Sequence, residues 1–222
     1  RISSGPANWD AAWVFVKYKV TGGPGPCSPG DWQHASLSSN SAEHNPNSNP
    51  VNIDPSSDGK GVFVYRNSPG SGTLNLSDLQ IRWNYPSDGV GDNCSVEVKV
   101  FALEMVYLPT DTFEVGDFGG SVASLEAGTS GNPFEVNSEA AITLGGGGAG
   151  SLGNNNDATG NEDFDDGTTQ TLPAAFPKGH DSSYIMKYEI SQEQYVDFLN
   201  TLDGTQQSNR INITTVGNYF GD

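Results

Sequence analysis

The segment Ala11–Val20 (AAWVFVKYKV) alternates. Val14, Val16, Tyr18 and Val20 fall on one face, and Trp13, Phe15, Lys17 and Lys19 on the other. A period of two predicts a β-strand with one face in a core. Leu79–Tyr85 (LQIRWNY) repeats the pattern, with Leu79, Ile81, Trp83 and Tyr85 inward and Gln80, Arg82 and Asn84 outward. Ser95–Pro109 opens the same way, Val96, Val98 and Val100 against Glu97 and Lys99. Gly61–Arg66 (GVFVYR) is a compact apolar strand, and Asp31–Ser38 (DWQHASLS) a shorter candidate. Turn-rich segments such as TGGPGPCSPG separate them, and no segment with a helical period occurs before residue 130. Short strands at such intervals predict an antiparallel β-sandwich over residues 1–103.

Beyond this point the pattern changes. Glu104–Asp117 (EMVYLPTDTFEVGD) reads as a strand, a proline turn and a second short strand, and Pro133–Leu144 holds one more. The tract Gly145–Gln170 has Leu152 and Phe164 as its only large apolar residues. Too little apolar surface is available there to offset chain entropy, which predicts a long surface loop over 145–172, mobile or pinned by ions. Order returns at Tyr184–Ile190, which alternates as a strand. Ser191 then stands as an N-cap with Gln194 three residues on, a capping-box spacing. Tyr195, Val196, Phe198, Leu199 and Leu202 form the expected apolar helix face. Asp203-Gly204 is the expected stop. The remaining residues offer no closing element, so the chain reads as the front part of something larger.

Charge narrows the partners. The 222 residues carry 27 Asp+Glu against 10 Lys+Arg, a formal charge of −17. Such a surface repels phosphate backbones and anionic lipid, which argues against nucleic-acid and membrane-surface binding. It favours cations, and Asp/Asn-rich loops make calcium the first candidate. One set of ligands is Asp157, Asp163, Asp165 and Asp166, although the bidentate glutamate of an EF-hand is missing. A second is Asp88 and Asp92 with a carbonyl, set against the plainer reading of Asp88-Gly89 as a hairpin turn. No apolar run approaches the roughly 18–20 residues of a membrane span, and no apolar leader precedes Arg1-Ile2-Ser3.

The two cysteines, Cys27 and Cys94, suggest an oxidising compartment and one disulfide, with two buried thiols as the alternative. His34, His44 and His180 lack metal-site spacing. There is no G-x-S-x-G elbow and no phosphate-binding loop. Among Trp9, Trp13, Trp32 and Trp83, core packing is the default, and Trp9, ahead of the first strand, is the candidate for stacking on a sugar.

Two stretches stand together in an order that points to kinship. EMVYLPTDTFEVGD resembles the opening strand-turn-strand of the formylglycine-generating enzyme (sulfatase-modifying factor) family. YIMKYEISQEQYVDFLNTL resembles that family's next hallmark, a strand carrying a glutamate and then the first helix, with Glu189, Ser191, Tyr195 and Phe198 as the matching positions. The front half, NWDAAWVFVKYKV with DWQHASL and the Trp83 strand, looks like the β-module that precedes such domains in some secreted bacterial proteins. The resemblance implies a mainly β chain: a β-sandwich at 1–103, then at 104–222 the first part of a C-type-lectin-like α+β domain with calcium in its loops. It implies a structural role for Glu189 at the helix start. The family's copper-binding cysteine pair and the iron-binding histidines of its sulfoxide-synthase branch have no counterparts here, because no cysteine follows Cys94 and the only late histidine is His180.

The function expected on these grounds is that of a secreted or cell-surface structural or adhesive protein, without catalysis in these residues. Self-association, other surface proteins and glycans are the expected partners. The alternatives are the front of a copper- or iron-dependent oxidase whose metal centre lies beyond residue 222, and a carbohydrate-binding module.

Overall fold

The computed structural model describes residues 9–25, 27–117, 124–154 and 169–210. The elements in chain order are β1 (Trp9–Gly22), β2 (Gln33–His34), β3 (Val51–Pro55), β4 (Val62–Arg66), β5 (Ser95–Leu108), β6 (Phe113–Val115) and β7 (Leu125–Ala127). There follow β8 (Phe134–Val136), β9 (Ile142–Leu144), β10 (Ser151–Asn154), β11 (Gln170–Leu172), β12 (Ser183–Met186), α1 (Gln192–Leu199) and α2 (Gly204–Ser208). The chain is mainly β, with largely antiparallel pairing. It forms two compact units, one running through Tyr107 and resuming at Ile185, the other Leu108–Tyr184.

The first unit is built on one sheet in the order β12-β5-β1-β4-β3, with β2 paired to β1 beyond the end of β4. Strand β1 is central, and its pairing with β5 is continuous from Trp9↔Tyr107 to Val20↔Val96. The alternation read from the sequence sets its two faces. Val14, Val16 and Tyr18 join Val62 and Val64 of β4 and Val51 and Ile53 of β3 in a buried cluster. Burying each such side chain contributes about 1.5–3 kcal/mol.

What covers this cluster is an irregular layer. Ala35, Leu37 and Val90 are buried in it, and Leu79, Ile81, Trp83 and Tyr85 pack against it as their spacing indicates. The segment expected as a strand at 79–85 makes only the isolated bridges Asn45↔Gln80 and Leu37↔Trp83. Its side chains keep the period of two, while its backbone serves as a lid.

The opposite face of the sheet is aromatic. Phe15 and Phe101 stack with centroids 5.0 Å apart, and Phe198 of α1 meets each of them edge-on at 6.3 Å. Leu199, Thr201 and Leu202 are buried with them. Val196, expected on the apolar face, is 51% exposed. At about 100° per residue it stands on the flank of the stripe centred on Tyr195, Phe198, Leu199 and Leu202. The strand before the helix is Ser183–Met186, shorter than the Tyr184–Ile190 alternation suggests. Asp203-Gly204 does not close the helix in a left-handed turn either: α1 ends at Leu199, and Asp203 caps α2 by accepting from Gln206 N–H. Aspartate is a good helix starter, and that role prevails here.

The second unit holds a four-stranded sheet, β11-β9-β10-β7, and a two-stranded antiparallel pair, β6-β8. Pro133–Leu144 contributes two strands rather than one. The glycine tract was expected to be loop throughout, yet Ser151–Asn154 is a strand with Ser151, Gly153 and Asn154 buried. It lies parallel to β9 after a very short connection. Parallel neighbours ordinarily need a long crossover. The reversal here is made by Gly145, Gly146 and Gly147, all left-handed at φ 71°, 77° and 65°. A β-carbon at Gly153 would collide with the Gly128 carbonyl. The tract folds through close backbone approach, which a count of large apolar residues does not register.

Candidate functional site

The polar groups best placed for chemistry are spread over both units, and each is tied to a loop. In the first unit, the turn Tyr85–Asp88 places Asp88, half-buried, within the covering layer. Asp88 Oδ1 accepts from Ser36 Oγ at 2.6 Å. Its Oδ2 accepts from Ser36 N–H at 2.9 Å and Trp83 Nε1–H at 2.6 Å. The Tyr18 hydroxyl donates to the Asp88 carbonyl at 3.3 Å. Burial and the Asp88 charge both push that phenol's pKa up. The Asp88 carboxylate thus fastens its own turn to Ser36 and Trp83, and the Asp88 backbone carbonyl ties that turn to β1. Asp92, its partner in the sequence-based calcium reading, accepts from Tyr85 Oη at 2.9 Å. The other four acidic candidates, Asp157, Asp163, Asp165 and Asp166, lie outside the described residues.

His44 is buried and fixed at both ring nitrogens. Nδ1 accepts from Arg82 N–H at 3.1 Å, so Nε2 carries the proton and donates to the Ser38 carbonyl at 2.9 Å. His34 pairs with Lys17 across β1 and β2, and its ring stacks on Phe15. Burial lowers the pKa of His34. Lys17 is buried on the aromatic face, where desolvation lowers its pKa and the charge of Asp203 offsets part of that effect.

In the second unit, Glu139 gathers the loop 178–181. Its Oε2 accepts from Lys178 N–H at 2.6 Å, and its Oε1 from His180 N–H at 2.8 Å and Asp181 N–H at 3.1 Å. These donors hold its carboxyl below the usual range. The Lys178 ammonium in turn donates to the carbonyls of Pro173 and Phe176 at 2.5 and 2.7 Å. Glu126, which unlike Glu139 is buried, accepts from Gly131 N–H. Glu139 is 39 residues or more from its partners, so no local spacing announces it. An open cleft of about 380 Å³ in this unit is lined by Pro133, Phe134, Val136 and Ile142 together with Glu135 and Asn137, and its wall is polar and apolar in about equal parts.

Comparison of the chain with family models, with curated proteins and with solved structures gave no match in any of the three. The placement of each site residue therefore rests on geometry. Cys27 and Cys94 form the disulfide. Ser191 and Gln194 make the complete capping box at α1. Glu189 is exposed, while Ser191 N–H donates to Gln194 Oε1 and Gln194 N–H to Ser191 Oγ. Phe198 docks on the sheet, and Tyr195 is half-buried beside it. Trp9 stacks on Tyr107 at a centroid distance of 3.9 Å, with Tyr65 at 5.5 Å. Among the described residues no three acidic, histidine or cysteine side chains converge as a metal set, and no helix is long and apolar enough to cross a membrane.

Proposed function

We propose that this chain is a structural module of a secreted or cell-surface protein, working through its surfaces and not through a reaction centre. The observation that carries this reading is the use made of its strongest polar groups. Asp88, Glu139 and His44 each spend their hydrogen-bonding capacity on fastening loop segments, Glu139 and His44 through backbone groups and Asp88 through Ser36 N–H and the side chains of Ser36 and Trp83. Carboxylates used as loop clamps hold surface segments in place that have little regular structure of their own. The Cys27–Cys94 bridge supports an oxidising compartment, where such cross-links persist. The charge of −17 suits a solvated exterior.

Externally added protease on intact producing cells tests the proposal. The chain is expected to be cleaved while a cytoplasmic marker survives, and thiol alkylation before lysis is expected to leave Cys27 and Cys94 unlabelled. Protection of the chain in intact cells, with both cysteines alkylated as free thiols, would overturn it.

A further inference from the structure

The sheet of the first unit leaves one edge open in a way that suits a single partner. Lys187 N–H donates to the Glu104 carbonyl at 2.9 Å, so β12 covers the outer edge of β5 near Glu104. Along an antiparallel strand both backbone groups of alternate residues point to the same side. The pairing of β5 with β1 has no bulge between Val96 and Tyr107. The N–H and C=O groups of Val96, Val98, Val100 and Ala102 therefore point outward, away from β1. Among the described residues no strand occupies this stretch.

The same stretch exposes apolar surface. Val98 and Val100 lie on the face of Val16 and Tyr18, but the covering layer stops short of them. They are 46% and 65% exposed. The opposite edge is treated differently. Strand β3 carries Asn52 and Asp54, ends in Pro55 and is preceded by Pro50, the usual means of blunting an edge. Residues 96–102 contain neither proline nor glycine.

We infer that the β5 edge is a self-pairing surface, on which a second copy of this chain adds its own β5 antiparallel about Val98. The register follows from charge. With Val98 opposite Val98 of the second copy, Glu97 faces the second Lys99 and Lys99 the second Glu97. A shift that centres the pair on Lys99 sets lysine against lysine, and one centred on Glu97 sets glutamate against glutamate. Like charges directly opposite destabilise a ladder, and opposite charges support it. The parity also fits. Val96, Val98 and Val100 fall at hydrogen-bonded positions, where their outward groups find partners. Glu97 and Lys99 fall at the non-hydrogen-bonded positions, where side chains approach most closely. Val96, Val98 and Val100 of the two copies then form one continuous apolar row. The edge is locally neutral within a chain of charge −17, so repulsion is least where the copies meet. This extends the structural role proposed above, but association is read directly and holds wherever the chain resides.

Sedimentation velocity of the whole chain across a wide concentration range tests it. The parent protein is expected to shift from monomer to dimer. Lys99→Glu alone and Glu97→Lys alone are each expected to lose association, and their equimolar mixture to regain it as a heterodimer. Val98→Pro removes an outward N–H without touching the ladder to β1, and it is expected to leave a folded monomer by circular dichroism. A parent protein that stays monomeric throughout overturns the inference. So do charge variants or a proline variant that associate as the parent does, and so does a mixture of the two charge variants that stays monomeric although each is folded.

Discussion

Glu139 illustrates what a single side chain does in a unit built of short strands and long loops. Three backbone N–H groups of residues 178–181 converge on its two oxygens. Hydrogen bonds to the charged form lower its pKa, the largest effect coming from the Lys178 N–H. The folded pKa is thus below the unfolded one, and the resulting stabilisation is present above the unfolded value, about 4.3. It is lost as pH falls through the folded pKa. Glu139→Gln keeps the shape but turns an amide donor toward those N–H groups. The variant is expected to melt lower than the parent at pH 7, with the gap closing as the pH is taken below about 4. Paired thermal melts across that range check it, and a gap independent of pH would show that charge is not what Glu139 supplies. Asp88 belongs to the same class. Its place in a turn was legible from Asp-Gly, but its hold on Ser36 and Trp83 was not, because those partners are fixed only once the lid has closed.

Among the elements, α1 was the most legible. Its start is written locally as Ser191 and Gln194, and both halves of the box form. Its end was less so, because Asp203-Gly204 is an ambiguous signal that stops one helix or starts another. What α1 packs against could not be read at all, since Phe15 and Phe101 are remote in sequence. Two substitutions separate the local and the tertiary contributions. Ser191→Ala removes the cap, at a cost of about 1 kcal/mol. Phe198→Ala removes the edge-on contacts to Phe15 and Phe101, and for a half-buried ring the expected loss is about 2 kcal/mol. Phe198→Ala is therefore expected to be the more damaging in denaturant titration, and to release the α1 amides to hydrogen exchange. The reverse order would mean that α1 is held by its own cap and not by the sheet. Strand β10 gives the opposite lesson, since glycine and serine pack by backbone proximity and leave no hydrophobic period to find.

At the scale of the whole molecule, the first unit is discontinuous: it is left at Tyr107 and rejoined at Ile185. The change of pattern at Tyr184 marks where order resumes but not that the chain rejoins its first unit, which is specified by pairing across the sheet and by Phe198. The disulfide lies wholly within this unit and links residues 67 positions apart. Closing a loop of that length restricts the unfolded chain by about 4 kcal/mol on the chain-entropy account. The four tryptophans, Trp9, Trp13, Trp32 and Trp83, also lie before Tyr107, so their fluorescence reports on this unit alone. Far-ultraviolet circular dichroism sees both units. In the Cys27→Ser/Cys94→Ser variant the tryptophan transition is expected to move to markedly lower denaturant. The part of the circular dichroism signal belonging to Leu108–Tyr184 is expected to stay where it was, so the two probes separate. If both signals move together by the same amount, the units unfold as one cooperative body, and the cross-link then stabilises the whole chain instead of its first unit.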